Sequence, residues 1–111
     1  MFKFVLPIFW SGLVFAAPVK LVFHPTDWPA WRGLHGNGHA QAVDGLPITW
    51  SATRNVVWKT PIPGRGHSTP TIVGNRIYLA TADGKKQVQS VLCLDKDTGK
   101  LIWTTAVHKG K

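Results

Sequence analysis

Between Thr71 and Val107 the chain is interrupted by turn signals at a spacing that only β-structure fits. Gly74-Asn75, Asp83-Gly84 and Asp97-Thr98-Gly99 separate apolar runs that are too short for helices. Gly and Asn tolerate the positive φ of a two-residue hairpin, so Thr71–Val73 and Arg76–Thr81 are expected to pair. The runs Val88–Leu94 and Leu101–Val107 extend the series to four strands of an antiparallel meander. Several of these runs are apolar on both faces, as suits strands sandwiched between two other sheets. Upstream, Val56-Val57-Trp58-Lys59-Thr60 reads as a further short strand, ended by Pro61 and Pro63. Eleven Gly and eight Pro in 111 residues argue against a helical bundle, and 44% hydrophobic content is enough for a core.

The chain also repeats itself. Val56-Val57-Trp58-Lys59-Thr60-Pro61-Ile62 aligns with Leu101-Ile102-Trp103-Thr104-Thr105-Ala106-Val107 at an offset of 45 residues. A period of that length, with one four-stranded meander between the copies, is what a propeller blade predicts. A coincidental pair of Trp-bearing strands is the plainer alternative.

The run Leu94-Asp95-Lys96-Asp97-Thr98-Gly99-Lys100-Leu101-Ile102-Trp103 resembles the repeat of the pyrroloquinoline-quinone-like (PQQ-like) β-propellers. Their blades carry Ala-x-Asp-x-x-Thr-Gly-x-x-x-Trp. Asp95, Thr98, Gly99 and Trp103 match, and Cys93 stands where that family usually has Ala. Trp28-Pro29-Ala30-Trp31-Arg32-Gly33 and Pro63-Gly64-Arg65-Gly66-His67-Ser68-Thr69-Pro70 are similar to the openings of exported bacterial members. The resemblance covers roughly residues 27 to 107.

This implies an all-β fold: one four-stranded antiparallel propeller blade plus one strand of an adjacent blade. An irregular Trp/Gly/Pro-rich segment over 17–55 precedes the partial propeller of 56–111. A closed ring takes typically four to eight blades, so the chain is expected to be the N-terminal piece of a longer parent. Missing blades of that parent are then its first partners. Self-assembly of short chains is the weaker alternative, because each association has its own ordering cost.

The motif residues read as scaffold. Asp95 can accept backbone N–H bonds across the turn, Thr98 can cap it, and Gly99 frees the backbone. Trp103 can bury on the order of 200 Å² against a neighbouring blade. Trp58 is its equivalent one repeat earlier. No catalytic, cofactor-binding or metal-binding residue is identified.

Two functions follow. One is a non-catalytic exported propeller, a scaffold or binding module that presents loops to a protein or polysaccharide. The alternative is part of a quinoprotein dehydrogenase that oxidises alcohols or sugars with PQQ and calcium. In that group an adjacent Cys pair, a calcium-binding Glu and a catalytic Asp surround the quinone. This chain has one Cys and no Glu, and Asp27, Asp44 and Asp83 lie in loops with no partner visible from spacing. The scaffold is therefore favoured, with no cofactor in this chain.

The N-terminus points to export. Lys3, the apolar run Phe4–Phe15, then Ala16 and Ala17, follow the order of a secretory signal peptide over 1–16, with cleavage after Ala16. The run is about twelve residues, against the ~20 of a membrane span, and Pro7 interrupts it. A periplasmic or extracellular location follows, with no stable membrane span. The lone Cys is then most simply a buried thiol.

The formal charge is +8, from thirteen Lys and Arg against five Asp. The basic residues are scattered, and only Lys85-Lys86 adjoin after the leader, so a nucleic-acid partner is not expected. An acidic polymer or anionic surface remains compatible with the overall field.

Two smaller motifs read as loops. His35 and His39 stand four apart, but Gly33, Gly36 and Gly38 disfavour the helix that would let them share a metal. His67-Ser68 lacks any partner that would make it a nucleophile and base.

Overall fold

The computed structural model describes residues 19–41 and 44–110. The expected leader over 1–16 lies outside them. Four strands form one antiparallel sheet in chain order: β1 (Thr71–Val73), β2 (Arg76–Asp83), β3 (Val88–Asp95) and β4 (Leu101–Lys109). This is the expected all-β meander, with β2, β3 and β4 each running one or two residues further than the apolar pattern suggested. No helix among the described residues is long and apolar enough to cross a membrane.

The core sits on β3, the strand flanked on both sides by long partners. Leu92, Cys93 and Leu94 are its buried apolar residues. Alternation sends Leu92 and Leu94 to one face and Cys93 to the other. Leu92 stands opposite Leu79 and Thr104, and Leu94 opposite Ile77. Cys93 stands between Tyr78 and Trp103, whose ring centroids are 6.1 Å apart with planes tilted 49°. These two aromatics flank the thiol and account for its burial. The register of β4 slips at Gln89/Ser90 and at Cys93/Leu94, leaving Val107 and Ile102 unpaired as bulges that increase local twist. All of β4 is exposed, including Leu101, Ile102, Trp103 and Val107.

Two segments outside the meander lie along its β1 side. Trp28 exchanges both backbone hydrogen bonds with Ile72, at 2.8 Å each, and so extends the sheet beyond β1. Arg65 does the same with Ala82, at 2.8 and 2.7 Å, covering the part of β2 that the short β1 leaves free. Between them the Ser68 hydroxyl accepts from the Ala80 N–H at 2.9 Å, standing in for a strand carbonyl. Pro63 to Val73 thus forms one interrupted inner edge.

Residues 56–60 lie in no strand and make no ladder. The one strand at equivalent repeat position, β4, pairs with β3 of its own blade. No such partner for 56–60 is among the described residues, so this segment joins the blade by its side chains. The short strand expected over Val56–Thr60 is therefore not formed. Trp28 holds the place beside Thr71–Val73, and Trp58 is anchored at the β3–β4 turn.

Candidate functional site: the Asp95 turn and its tryptophan

The turn from Asp95 to Lys100 joins β3 to β4 and carries most of the motif. Its backbone closes through Asp95 N–H to Lys100 O and Gly99 N–H to Asp95 O, both 2.9 Å. The carboxylate organises the rest. Asp95 Oδ1 accepts from the Asp97 N–H (3.1 Å), the Thr98 N–H (2.9 Å) and the Thr98 hydroxyl (2.8 Å). Asp95 Oδ2 accepts from Asn75 Nδ2 at 3.0 Å and faces the Arg76 guanidinium at 3.6 Å. One side chain therefore ties the β3–β4 turn to the β1–β2 turn. The Thr98 hydroxyl, its N–H, the Asp97 N–H and the Arg76 charge together hold the Asp95 carboxyl below its ordinary range.

Gly99 takes φ +68°, a left-handed conformation that L side chains rarely adopt. A Cβ there would also fall among the Trp58 ring atoms and close to Thr60 Oγ1. Trp58 packs directly on this glycine, and its indole Nε1 donates to the Lys96 carbonyl at 3.0 Å. The Thr60 hydroxyl donates to the Gly99 carbonyl at 2.5 Å. Asp95, Thr98, Gly99 and Trp58 are thus brought together. Trp103 is not at this turn. It lies on β4 beside Tyr78 and is 41% exposed.

Sequence spacing did not pair Trp58 with Gly99, because a repeat offset matches equivalent positions rather than touching ones. It also gave Asp27 no partner. Asp27 is buried at 6% exposure, with Oδ1 accepting from the Gly74 N–H (2.8 Å) and Oδ2 from the His24 N–H (2.7 Å). These two bonds lower its carboxyl's pKa, the Gly74 one more. The Gly74 partner lies 47 residues away, beyond the reach of any local motif. Asp83 accepts from the Lys85 and Lys86 N–H groups at 3.0 Å each and caps the β2–β3 turn. The Lys86 contact is the larger cause of its lowered pKa. Residues 33–39 form turns, not a helix. The Ser68 hydroxyl is engaged with backbone at Ala80 and Thr69.

A four-stranded meander with an Asp-x-x-Thr-Gly turn, clasped by a tryptophan from one repeat earlier, defines a blade of the PQQ-like repeat class. The family model described as outer membrane protein assembly factor BamB matches residues 39–111, and the chain belongs to that family. Comparison with curated proteins finds no match, and neither does comparison with solved structures. Trp28–Gly33 lies ahead of the matched region.

Proposed function

We propose that this chain is part of a non-catalytic, exported β-propeller that acts as a scaffold or binding module. The observation that carries the reading is the Asp95 carboxylate: both oxygens are engaged in holding turns together. Thr98, Gly99 and Trp58 are likewise committed to the turn. The description of the matching family, an assembly factor rather than an oxidoreductase, supports the same reading.

The blade is completed by others. Among the described residues its apolar core is Leu92, Cys93 and Leu94, while Leu101, Ile102, Trp103 and Val107 stay open. Apolar sheet surface of this kind is covered by neighbouring sheets in a propeller. By the 45-residue offset, Trp103 would clasp the turn of the next blade as Trp58 clasps this one.

Titration of the purified protein with PQQ and calcium tests this function. The expected result is no saturable heat and no PQQ-dependent reduction of an artificial electron acceptor. A calcium-dependent, saturable isotherm accompanied by alcohol or sugar oxidation would replace the scaffold with the dehydrogenase.

A further inference from the structure

A strand at the edge of a sheet presents unpaired N–H and C=O groups to any other strand that can reach it. The blade has two such edges, and the fold treats them differently. The inner one is filled by the chain itself: Trp28 pairs with Ile72, Arg65 with Ala82, and the Ser68 hydroxyl accepts from the Ala80 N–H. The outer one, on β4, is left open. Among the described residues, Leu101 to Lys109 make backbone bonds to β3 and to no other segment. In a ring of blades both faces of a sheet are covered. Neighbouring sheets diverge away from the ring axis, however, so no blade reaches the outer edge of the next.

The usual guards of an exposed edge are missing from the middle of β4. Leu101 to Val107 holds no proline and no charged residue. The two bulges, at Ile102 and Val107, sit toward the ends of the strand. Between them Trp103 to Ala106 keep a regular register with Cys93 to Ser90. At nine residues β4 is also the longest strand of the sheet.

This edge is complementary to itself. Two copies related by a two-fold axis normal to the sheet pair antiparallel, with one residue of each opposite its own counterpart. Full overlap of β4 puts Thr105, its middle residue, at that point. Thr104 then faces Ala106, Trp103 faces Val107, Leu101 faces Lys109, and Lys100 faces Gly110. No two like charges stand directly opposite, the arrangement that would oppose pairing. The antiparallel sense also brings Lys109 of each copy beside the β3–β4 turn of the other. There the Asp97 carboxylate has no hydrogen-bond or ion-pair partner among the described residues.

We propose that β4 is a self-association edge, along which two copies of this chain pair antiparallel about Thr105 and join their four-stranded sheets into one. The contact lies at the rim of the ring and uses backbone groups that the neighbouring blades leave free. A strand of another protein would have to supply its own complement to this edge, whereas a second copy carries it already. The pairing goes beyond the scaffold reading and holds whether or not the ring is catalytic.

Sedimentation of the purified protein over a range of concentrations, together with cysteine cross-linking, tests the pairing. The expected result is a monomer–dimer equilibrium. Thr105→Lys sets two ammonium groups opposite each other and raises the dimer dissociation constant by about tenfold or more. Thr105→Cys gives a disulfide-linked dimer under mild oxidation, because directly opposite residues stand ~4.5–5.5 Å apart between Cα atoms. Thr104→Cys, one residue off the axis, does not, and neither does Lys86→Cys on the β2–β3 turn. Cys93 is buried and does not cross-link. Thr105 is exposed, so both of its variants keep the fold, which urea unfolding checks. A monomer at every concentration leaves the edge to some other protein and overturns the proposal. Association that Thr105→Lys does not weaken would be contact between bare sheet faces and overturns it too, as does equal cross-linking by Thr104→Cys and Thr105→Cys.

Discussion

The Trp58 indole N–H donates to the Lys96 backbone carbonyl at 3.0 Å, joining positions 38 residues apart. The same ring packs on Gly99, and Thr60, two residues on, bonds the Gly99 carbonyl. A segment without a ladder of its own is thus fixed to the blade by one ring and one hydroxyl.

Truncating that ring removes the anchorage. Trp58→Ala is expected to destabilise the protein by ~2–3 kcal/mol, through lost apolar contact and an orphaned carbonyl. Trp58→Phe keeps much of the stack, loses the N–H bond, and costs about 1 kcal/mol. Trp103→Ala should cost less than Trp58→Ala, since Trp103 is 41% exposed. Urea unfolding midpoints give the order, and a larger loss for Trp103 would contradict it.

The order of the four strands was legible in the sequence because each turn carries its own chemistry within a few residues: Gly74-Asn75, Asp83-Gly84 and Asp97-Thr98-Gly99. The bonds of Asp95 to Thr98 and Asp97 are local for the same reason. The clasp of Trp58 on Gly99, the Asp27–Gly74 bond and the Arg65–Ala82 bridge were not legible. Each joins residues whose approach depends on how a loop crosses a finished sheet, and no periodicity encodes that. Val56–Thr60 misled for a related reason. Its residues have β propensity, but a strand also needs a partner.

Asp95 makes stability depend on acid. Its folded carboxyl is held below the ordinary value of 3.8, first by the Thr98 hydroxyl and then by the Thr98 N–H. The folded state therefore keeps the charge at lower pH than the unfolded state does. The stability this contributes is whole above 3.8 and is lost as pH falls below it through the folded value. Asp27 and Asp83 act in the same direction. Asp95→Asn should lower the thermal midpoint at neutral pH, because its amide would oppose Asn75 Nδ2 and Arg76. The gap to wild type should narrow as pH falls below 3.8. A gap that stays constant would assign the loss to something other than the charge.

Gly64→Ala should open the inner edge. The added Cβ meets the Ala82 carbonyl, and φ +82° disfavours any L side chain. A loss of ~1–2 kcal/mol is expected from the backbone conformation alone. Hydrogen exchange at the Ala82 N–H, which bonds Arg65 O at 2.7 Å, should speed up before that at Leu92. Unchanged protection at Ala82 would show that the bridge does not depend on this glycine.

Cys93 provides a probe of the middle strand. It is 1% exposed between Tyr78 and Trp103 on neighbouring strands. A thiol reagent should modify it only as β3 opens, at a rate that rises with urea. Trp103→Ala should accelerate labelling by removing one flanking ring. Immediate stoichiometric labelling of the native protein would contradict this packing.

The central claim is that a tryptophan of one repeat holds the turn of the next, and a double-mutant cycle on Trp58 and Gly99 tests it most directly. Gly99→Ala alone suffers both the left-handed backbone and a collision with the Trp58 ring. With Trp58→Ala already present the collision is gone and only the backbone cost remains. The two substitutions should therefore be non-additive by at least ~1 kcal/mol, the double variant being more stable than the sum of the singles implies. Additivity within ~0.3 kcal/mol would show that ring and turn are not coupled, and would contradict the account.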